Sequence, residues 1–145
     1  MMSSDNTLPT LLEHLPIEII LRIFDFFSLQ EIVKAFSGLN SYLNSIINSA
    51  IGISHVVRYD DATAINLLHL FTTQIRRLVI TSSETVGFTS LINLRSLTLR
   101  YATSAQVDGI RPQYFLMLEI LHIYVCDQCK LFVKDLLDKG MRFLK

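Results

Sequence analysis

The fold of this chain is decided first by residues 15–27, which read LPIEIILRIFDFF. Pro16 lacks the N–H group that a first helical turn would leave unpaired, so it suits the start of a helix. At 100° per residue the helix has one broad apolar face, formed by Ile19, Ile20, Ile23, Phe24 and Phe27. Leu21 and Phe26 lie off that face. Such a segment is most often a buried core helix, but these two side chains require a second neighbour.

Two further helix starts follow directly. The Ser28 hydroxyl can accept from a free amide and Glu31 can reach back to the Ser28 N–H, which predicts a helix that ends near Gly38. Asn40 or Ser41 is predicted to cap a third short helix. Three such short helices bury little surface on their own, so their remaining apolar surface is expected to meet a partner or the rest of the chain.

The order of residues in this region resembles a known family. It reads Leu-Pro-x-Glu-Ile at 15–19 and Ile-Phe at 23–24, followed by Phe27, Leu29 and Glu-Ile-Val at 31–33. Residues 12–47 thereby resemble an F-box, a three-helix module that docks onto the Skp-type adaptor of cullin-based ubiquitin ligases. The motif departs from the family at 39–42, which read Leu-Asn-Ser-Tyr where many F-boxes have Cys-Arg-Arg-Trp. The resemblance implies a surface that contacts the adaptor, or supports the contact, formed by Leu15, Pro16, Ile19, Ile20, Ile23, Phe24, Phe27 and Leu29.

Downstream, one pattern occurs three times. The copies are Ile75-x2-Leu78-x-Ile80, Leu94-x2-Leu97-x-Leu99 and Leu118-x2-Leu121-x-Ile123. Each reads as a short strand with alternate side chains inward, followed by a segment that returns to the next strand, which predicts parallel strands in a solenoid. Small residues follow the copies at Ser83, Ala102 and Cys126, as at the bend of a leucine-rich repeat. The units resemble degenerate leucine-rich repeats, and ordinary strands of an α/β domain are the alternative.

The repeat region is expected to extend beyond these copies at both ends. Residues 53–59 predict an irregular first unit in which Val57 and Tyr59 occupy the positions of Leu78 and Ile80. Asp60 and Asp61 are predicted to cap a following helix that runs through Phe71, rather than to bind a metal. Met141-x2-Leu144 predicts a fourth unit, so the array is expected to be incomplete at Lys145.

The strand pattern separates an inner set of side chains from an outer one. The inner set is Leu78, Ile80, Leu97, Leu99, Leu121 and Ile123, and the outer set is Arg77, Val79, Thr81, Ser96, Thr98, Arg100, Ile120, His122 and Tyr124. Tyr and Arg dominate the energetics of protein interfaces. The candidate residues for binding a protein substrate are therefore Arg77, Thr98, Arg100, His122 and Tyr124.

These features predict an α+β chain with an α/β solenoid. We expect a disordered segment over 1–11, an F-box-like domain over 12–49 and a short, incomplete leucine-rich-repeat-like region over 50–145, with parallel strands. No linker rich in glycine or proline separates the helices from the repeats, which predicts that the two parts pack directly together.

Composition excludes several classes of function. Thirteen basic residues balance thirteen acidic ones, so nucleic acid is not the expected partner. No apolar run is suited to cross a bilayer and no secretory signal opens the chain, so the expected location is the cytoplasm, the nucleus or both. Catalytic motifs for hydrolases, nucleotide binding or zinc proteases are absent, and neither enzymatic activity nor a cofactor is expected.

The resemblance implies the substrate-receptor subunit of a cullin-type (SCF) ubiquitin ligase. The helices would hold a Skp-type adaptor and, through it, the cullin, while the repeats would bind a protein substrate. One alternative is a scaffold or interaction protein that binds no adaptor. A second is a small metal-dependent or hydrolytic enzyme that uses Cys126, Cys129 and His122, although a C-x2-C pair with one histidine falls short of the four ligands of a structural zinc site.

Overall fold

Three short helices open the described part of the chain, and four short strands with two more helices follow them. The structure, a computed structural model, describes residues 12–124. A 3-10 turn (Leu12–His14) comes before the first helix and another (Pro112–Tyr114) before the last strand. The elements between and around them are α1 (Ile17–Phe24), α2 (Leu29–Phe36), α3 (Ser41–Ser49), β1 (Ile53–Val57), α4 (Ala62–Leu70), β2 (Ile75–Ile80), β3 (Ser96–Arg100), α5 (Ser104–Asp108) and β4 (Ile120–Tyr124).

The predicted helix starts are confirmed. Pro16 is the residue before α1, and the side chains of Ser28, Asn40 and Asp61 accept hydrogen bonds from the N–H groups of Glu31, Leu43 and Ala64. At Ser28 both halves of the capping box are formed. After α2, Gly38 has a φ of +79°, a conformation in which glycine meets no steric penalty. Local capping chemistry therefore sets the boundaries of these helices.

The four strands form one parallel sheet in the order β1-β2-β3-β4, so each strand lies beside the next one in sequence. Leu78 lies beside Leu97, and Leu97 lies beside Leu121. The inner side chains of β2 and β3 are fully buried, and those of β4 are partly buried. The predicted alternation and parallel pairing of the three copies are thus confirmed, together with the coarse class of helices combined with a parallel sheet.

The predicted register of the first strand is wrong. Val57 lies beside Ile80 rather than Leu78, and His55 takes the place beside Leu78. Tyr59 lies beyond the strand with 76% of its surface exposed, in a turn where Asp60 has a φ of +56°. The register shifts between Ile53 and Ser54, where β2 contributes one residue more than β1. The repeat spacing alone contains no signal for this bulge.

The small-residue positions are only partly as predicted. Ala102 is buried, as expected, but after β2 the buried residue is Ser82 and Ser83 is exposed. The loop after β2 contains no helix. Two of its carbonyl groups accept hydrogen bonds from a side chain of α5, the helix after the next strand. Gln106 is fully buried, and its Nε2 donates to the Ser82 carbonyl at 2.8 Å and to the Glu84 carbonyl at 2.6 Å. Cys126 lies outside the described residues.

The helices and the sheet share one hydrophobic core. Buried side chains run continuously from Ile20 and Phe24 in α1 to the sheet. Helix α2 packs against β1, α3 and α4, and Ser28 at its start forms a parallel bridge with Ser54. The first helices therefore bury part of their apolar surface against the rest of the chain. The expected segment 1–11 and the expected unit at Met141 lie outside the described residues.

Candidate binding surfaces

Helix α1 divides its apolar side chains between the core and the solvent. Ile20 and Phe24 are buried, at 1% and 4% exposure, whereas Ile19 is 44% exposed. Ile23 is half-buried. A helix that packed only inside its own domain would turn its apolar residues inward, so α1 presents more apolar surface than its own fold covers.

This exposed surface continues past the end of the helix. The Phe26 N–H donates to the Ile23 carbonyl at 3.2 Å and the Phe27 N–H donates to the Phe24 carbonyl at 3.0 Å, so the chain keeps turning. Phe26 is 86% exposed and Phe27 is 38% exposed. We call Ile19, Ile23, Phe26 and Phe27 the α1 patch.

Aromatic packing fixes one side of the α1 patch. The Phe27 ring meets the Phe36 ring edge-on at a centroid distance of 6.4 Å, and Phe36 also packs on the buried Phe24 ring at 5.3 Å. Phe27 is therefore anchored to α2, while the neighbouring Phe26 is almost wholly in solvent. Burying a fully exposed Phe side chain contributes about 1.5–3 kcal/mol, so Phe26 is the strongest single source of binding energy in the patch.

The other predicted adaptor residues have different surroundings. Leu29, the first residue of α2, is fully buried, and Pro16 is exposed just before α1. Leu15 is half-buried, and its carbonyl accepts from the Tyr42 hydroxyl at 3.2 Å. Of the eight predicted residues, Ile20, Phe24 and Leu29 lie inside the fold, where they support the surface rather than form it. Phe26, which was not among them, is its most exposed aromatic residue.

A second surface is the outer face of the sheet. Strand register arranges its side chains in rows: Ser54, Arg77, Ser96 and Ile120 in the first, then Val56, Val79, Thr98 and His122, then Arg100 and Tyr124. These side chains are exposed or half-buried, as predicted for the outer set. The face therefore offers positive, hydroxyl and aromatic groups in a regular grid.

The sheet brings four of the five predicted substrate residues together. Arg100 lies beside Tyr124, and Thr98 lies beside His122, in two adjacent rows of β3 and β4. The rings of His122 and Tyr124 meet edge-on with centroids 6.4 Å apart. Arg77 lies apart from them, beside Ser96 in the first row.

His55 was not singled out by the sequence, yet it is the most deeply buried ionisable side chain described. Its Nε2 lies 2.8 Å from the Ala64 carbonyl and must donate, because a carbonyl oxygen only accepts. Burial lowers the pKa of His55 below its ordinary value of 6.5, while the Ala64 carbonyl and the Asp61 carboxylate act in the opposite direction. His55 thus links β1 to α4 as a neutral group.

Neither a metal site nor a membrane-spanning helix is found among the described residues. Cys126 and Cys129 lie outside it, and His122 is exposed on the sheet face. Between residues 12 and 124 no group of three or more His, Cys, Asp or Glu side chains is placed to hold a metal ion. In the same region, no helix has the length and apolar character needed to span a bilayer.

Comparison with models of protein families, with characterised proteins and with solved structures gives no match for this chain.

Proposed function

We propose that this protein is the substrate-receptor subunit of a cullin-type ubiquitin ligase. The α1 patch and the residues that support it bind a Skp-type adaptor, and the outer face of the sheet binds the protein to be ubiquitinated. The observation that carries the proposal is the exposure of Phe26 at 86%, together with that of Ile19 and Phe27, within a segment whose residue order resembles an F-box.

The surroundings of the α1 patch also support this proposal. Phe36, which packs on Phe24, also packs against Phe27, and the capping box fixes the start of α2. The part of the patch that is already packed, at Phe27, loses little conformational entropy on binding. Apolar residues exposed in this way are typical of a permanent or frequent protein partner.

The receptor itself carries out no chemistry in this proposal. Its effect on the reaction comes from proximity, because a substrate held on the sheet face is tethered near the ubiquitin-conjugating enzyme that the cullin recruits. Tethering replaces a bimolecular encounter with an effectively intramolecular one. Only binding is required of the residues on either surface.

The proposal is tested by titrating the purified chain with a Skp-type adaptor and measuring the heat of binding. We expect Phe26→Ser to raise the Kd at least about tenfold, because its burial contributes about 1.5–3 kcal/mol. Tyr59→Ser is the matched control, since Tyr59 is also an exposed aromatic residue, 76% exposed, but belongs to the turn after β1 rather than to the α1 patch. It should leave the Kd unchanged.

Two results would contradict the proposal. A wild-type chain that gives no heat of binding with the adaptor at tens of micromolar supports the scaffold alternative instead. Equal weakening by Phe26→Ser and Tyr59→Ser would show that binding does not depend on the α1 patch.

A further inference from the structure

A groove lies where the start of the sheet meets the end of α1. It has a volume of about 390 Å³ and reaches from Gly52 and Ser54 at β1 to Ile120 in β4. Strands lie about 4.8 Å apart, so crossing the starts of four strands spans about 14 Å. About four residues of an extended chain cover that distance.

Three arginines line this groove: Arg76 and Arg77 from β2, and Arg95 just before β3. Two consecutive residues of a regular strand point to opposite faces, so one of Arg76 and Arg77 would normally be buried. Both are exposed, because the bulge opposite Ile53 and Ser54 adds Arg76 to β2. Bulges commonly re-aim a side chain toward a functional site.

Gly52 lies beside the side chain of Arg76. It has a φ of +101°, and a Cβ built on it would lie 3.5 Å from the Arg76 Cδ. The Arg76 side chain therefore lies across the backbone just before β1. Arg76 is exposed and lines the groove.

The charges of the groove are unbalanced. Arg95 is paired with Glu119 at 2.7 Å, but within residues 12–124 neither Arg76 nor Arg77 has a carboxylate partner. Asp25, at the end of α1, is the other acidic residue of the lining. Among the described residues, the groove thus holds two guanidinium groups that have no carboxylate partner, beside the hydroxyl groups of Ser54 and Ser96. Such donors are suited to an anion.

We propose that this groove binds an acidic segment of a protein in extended conformation, through carboxylate or phosphate groups held by Arg76 and Arg77. The inference rests on the proposed receptor function, since the groove includes the first row of the sheet face and so gives the class of substrate. A net excess of one positive charge is too small for nucleic acid, which binds through many phosphate contacts. Acidic and phosphorylated peptides are recognised by arginine clusters of this size.

The test measures fluorescence anisotropy of the full chain with short fluorescein-labelled peptides. The probes are repeats of Glu-Gly-Ser, the same peptide with Gln for Glu, and one with phosphoserine in that place. The Glu peptide should bind at least about tenfold more tightly than the Gln peptide, and added NaCl should weaken it. If the phosphoserine peptide binds more tightly than the Glu peptide, phosphate is the preferred group. If it binds equally or more weakly, carboxylate is the preferred group.

Variants locate the binding in the groove. The double variant Arg76→Gln, Arg77→Gln should weaken the Glu peptide about tenfold, and Arg111→Gln, an exposed arginine outside the groove, should not. Asp25→Asn should strengthen binding, since it removes a repelling carboxylate, whereas general damage to the fold would weaken it. The inference is overturned if the Gln peptide binds as well as the Glu peptide, if the double variant binds like wild type, or if an oligonucleotide of equal charge binds more tightly than both acidic peptides.

This test is independent of adaptor binding. Phe26→Ser should leave the affinity for the Glu peptide unchanged. Peptide binding without adaptor binding would refute only the receptor proposal, and adaptor binding without any peptide binding would refute only the acidic-segment inference.

Discussion

At the scale of the residue, His55 shows how one buried polar group connects the helical part to the sheet. It stands on β1 beside Leu78, at a position where the repeats use a leucine. The imidazole fills the space of an apolar side chain and also donates from Nε2 to the Ala64 carbonyl in α4. A leucine there would leave that hydrogen bond unmade.

The lowered pKa of His55 predicts a pH-dependent stability. The unfolded chain takes up a proton near pH 6.5, while the folded chain resists it because the side chain is buried. The contribution of His55 is therefore fully present above pH 6.5 and is lost as the pH falls through 6.5 toward the folded pKa. We expect the free energy of unfolding from urea titrations to decrease over this range, with a slope of at most about 1.4 kcal/mol per pH unit from this group.

The change is assigned to His55 by comparing slopes between variants. His55→Gln keeps an N–H donor for Ala64 and does not titrate, so its free energy of unfolding should vary less with pH. His69→Gln removes an exposed histidine of α4 and should retain the wild-type slope. An unchanged slope in His55→Gln would contradict the assignment.

At the scale of the element, the start of α2 organises the α1 patch. The Ser28 N–H and hydroxyl both donate to Glu31 Oε2, at 2.7 and 2.8 Å, and Ser28 also pairs with Ser54 at the edge of the sheet. These bonds, first the backbone one and then the hydroxyl one, lower the pKa of the Glu31 carboxyl. The turn that carries Phe26 and Phe27 is thereby fixed at its end.

Removing this cap should destabilise the chain measurably. Ser28→Ala is expected to lower the free energy of unfolding by about 1 kcal/mol, the usual effect of losing an N-cap. Ser41→Ala is the control, because Ser41 is exposed in the first turn of α3 and the cap of that helix is Asn40. It should change stability by less than about 0.5 kcal/mol. Equal losses in urea unfolding would mean that the capping box contributes nothing specific.

The elements were predictable where their signals are local. Pro16 marks the start of α1 through its fixed φ and missing N–H. Ser28, Asn40 and Asp61 mark helix starts because each side chain accepts from an amide only three residues away. Strand alternation was readable from the leucines of the repeats for the same reason. The register of β1 was not, since it depends on the bulge against β2, a contact between residues far apart in sequence.

At the scale of the whole molecule, the helices and the sheet share one hydrophobic core, and this determines which apolar side chains remain on the surface. The helices bury Ile20, Phe24 and Leu29 in the same cluster as the sheet, so less of the predicted adaptor surface is accessible than the apolar pattern indicates. Phe26 lay off the predicted apolar face of α1. The extent of its exposure could be read only from the structure. The groove lined by Arg76, Arg77 and Arg95 could not be predicted from the sequence either. It forms only where the end of α1 meets the starts of four strands that are far apart in the chain.

In the proposed account the chain has two binding faces on one core. The α1 patch holds the adaptor, and the outer sheet face with its groove holds the substrate. Since both faces are built on the same continuous core, a bound substrate stays at a defined position relative to the adaptor. This arrangement is what a receptor that acts by proximity requires.

The proposed function requires that the α1 patch is uncovered in the free chain and covered by the adaptor. Hydroxyl-radical footprinting with mass spectrometry measures this for individual side chains. We predict that Phe26 is oxidised rapidly in the free chain and is protected when a Skp-type adaptor is added, while Tyr59 stays equally reactive in both states. A Phe26 that is unreactive in the free chain, or that the adaptor leaves as reactive as before, would contradict the account.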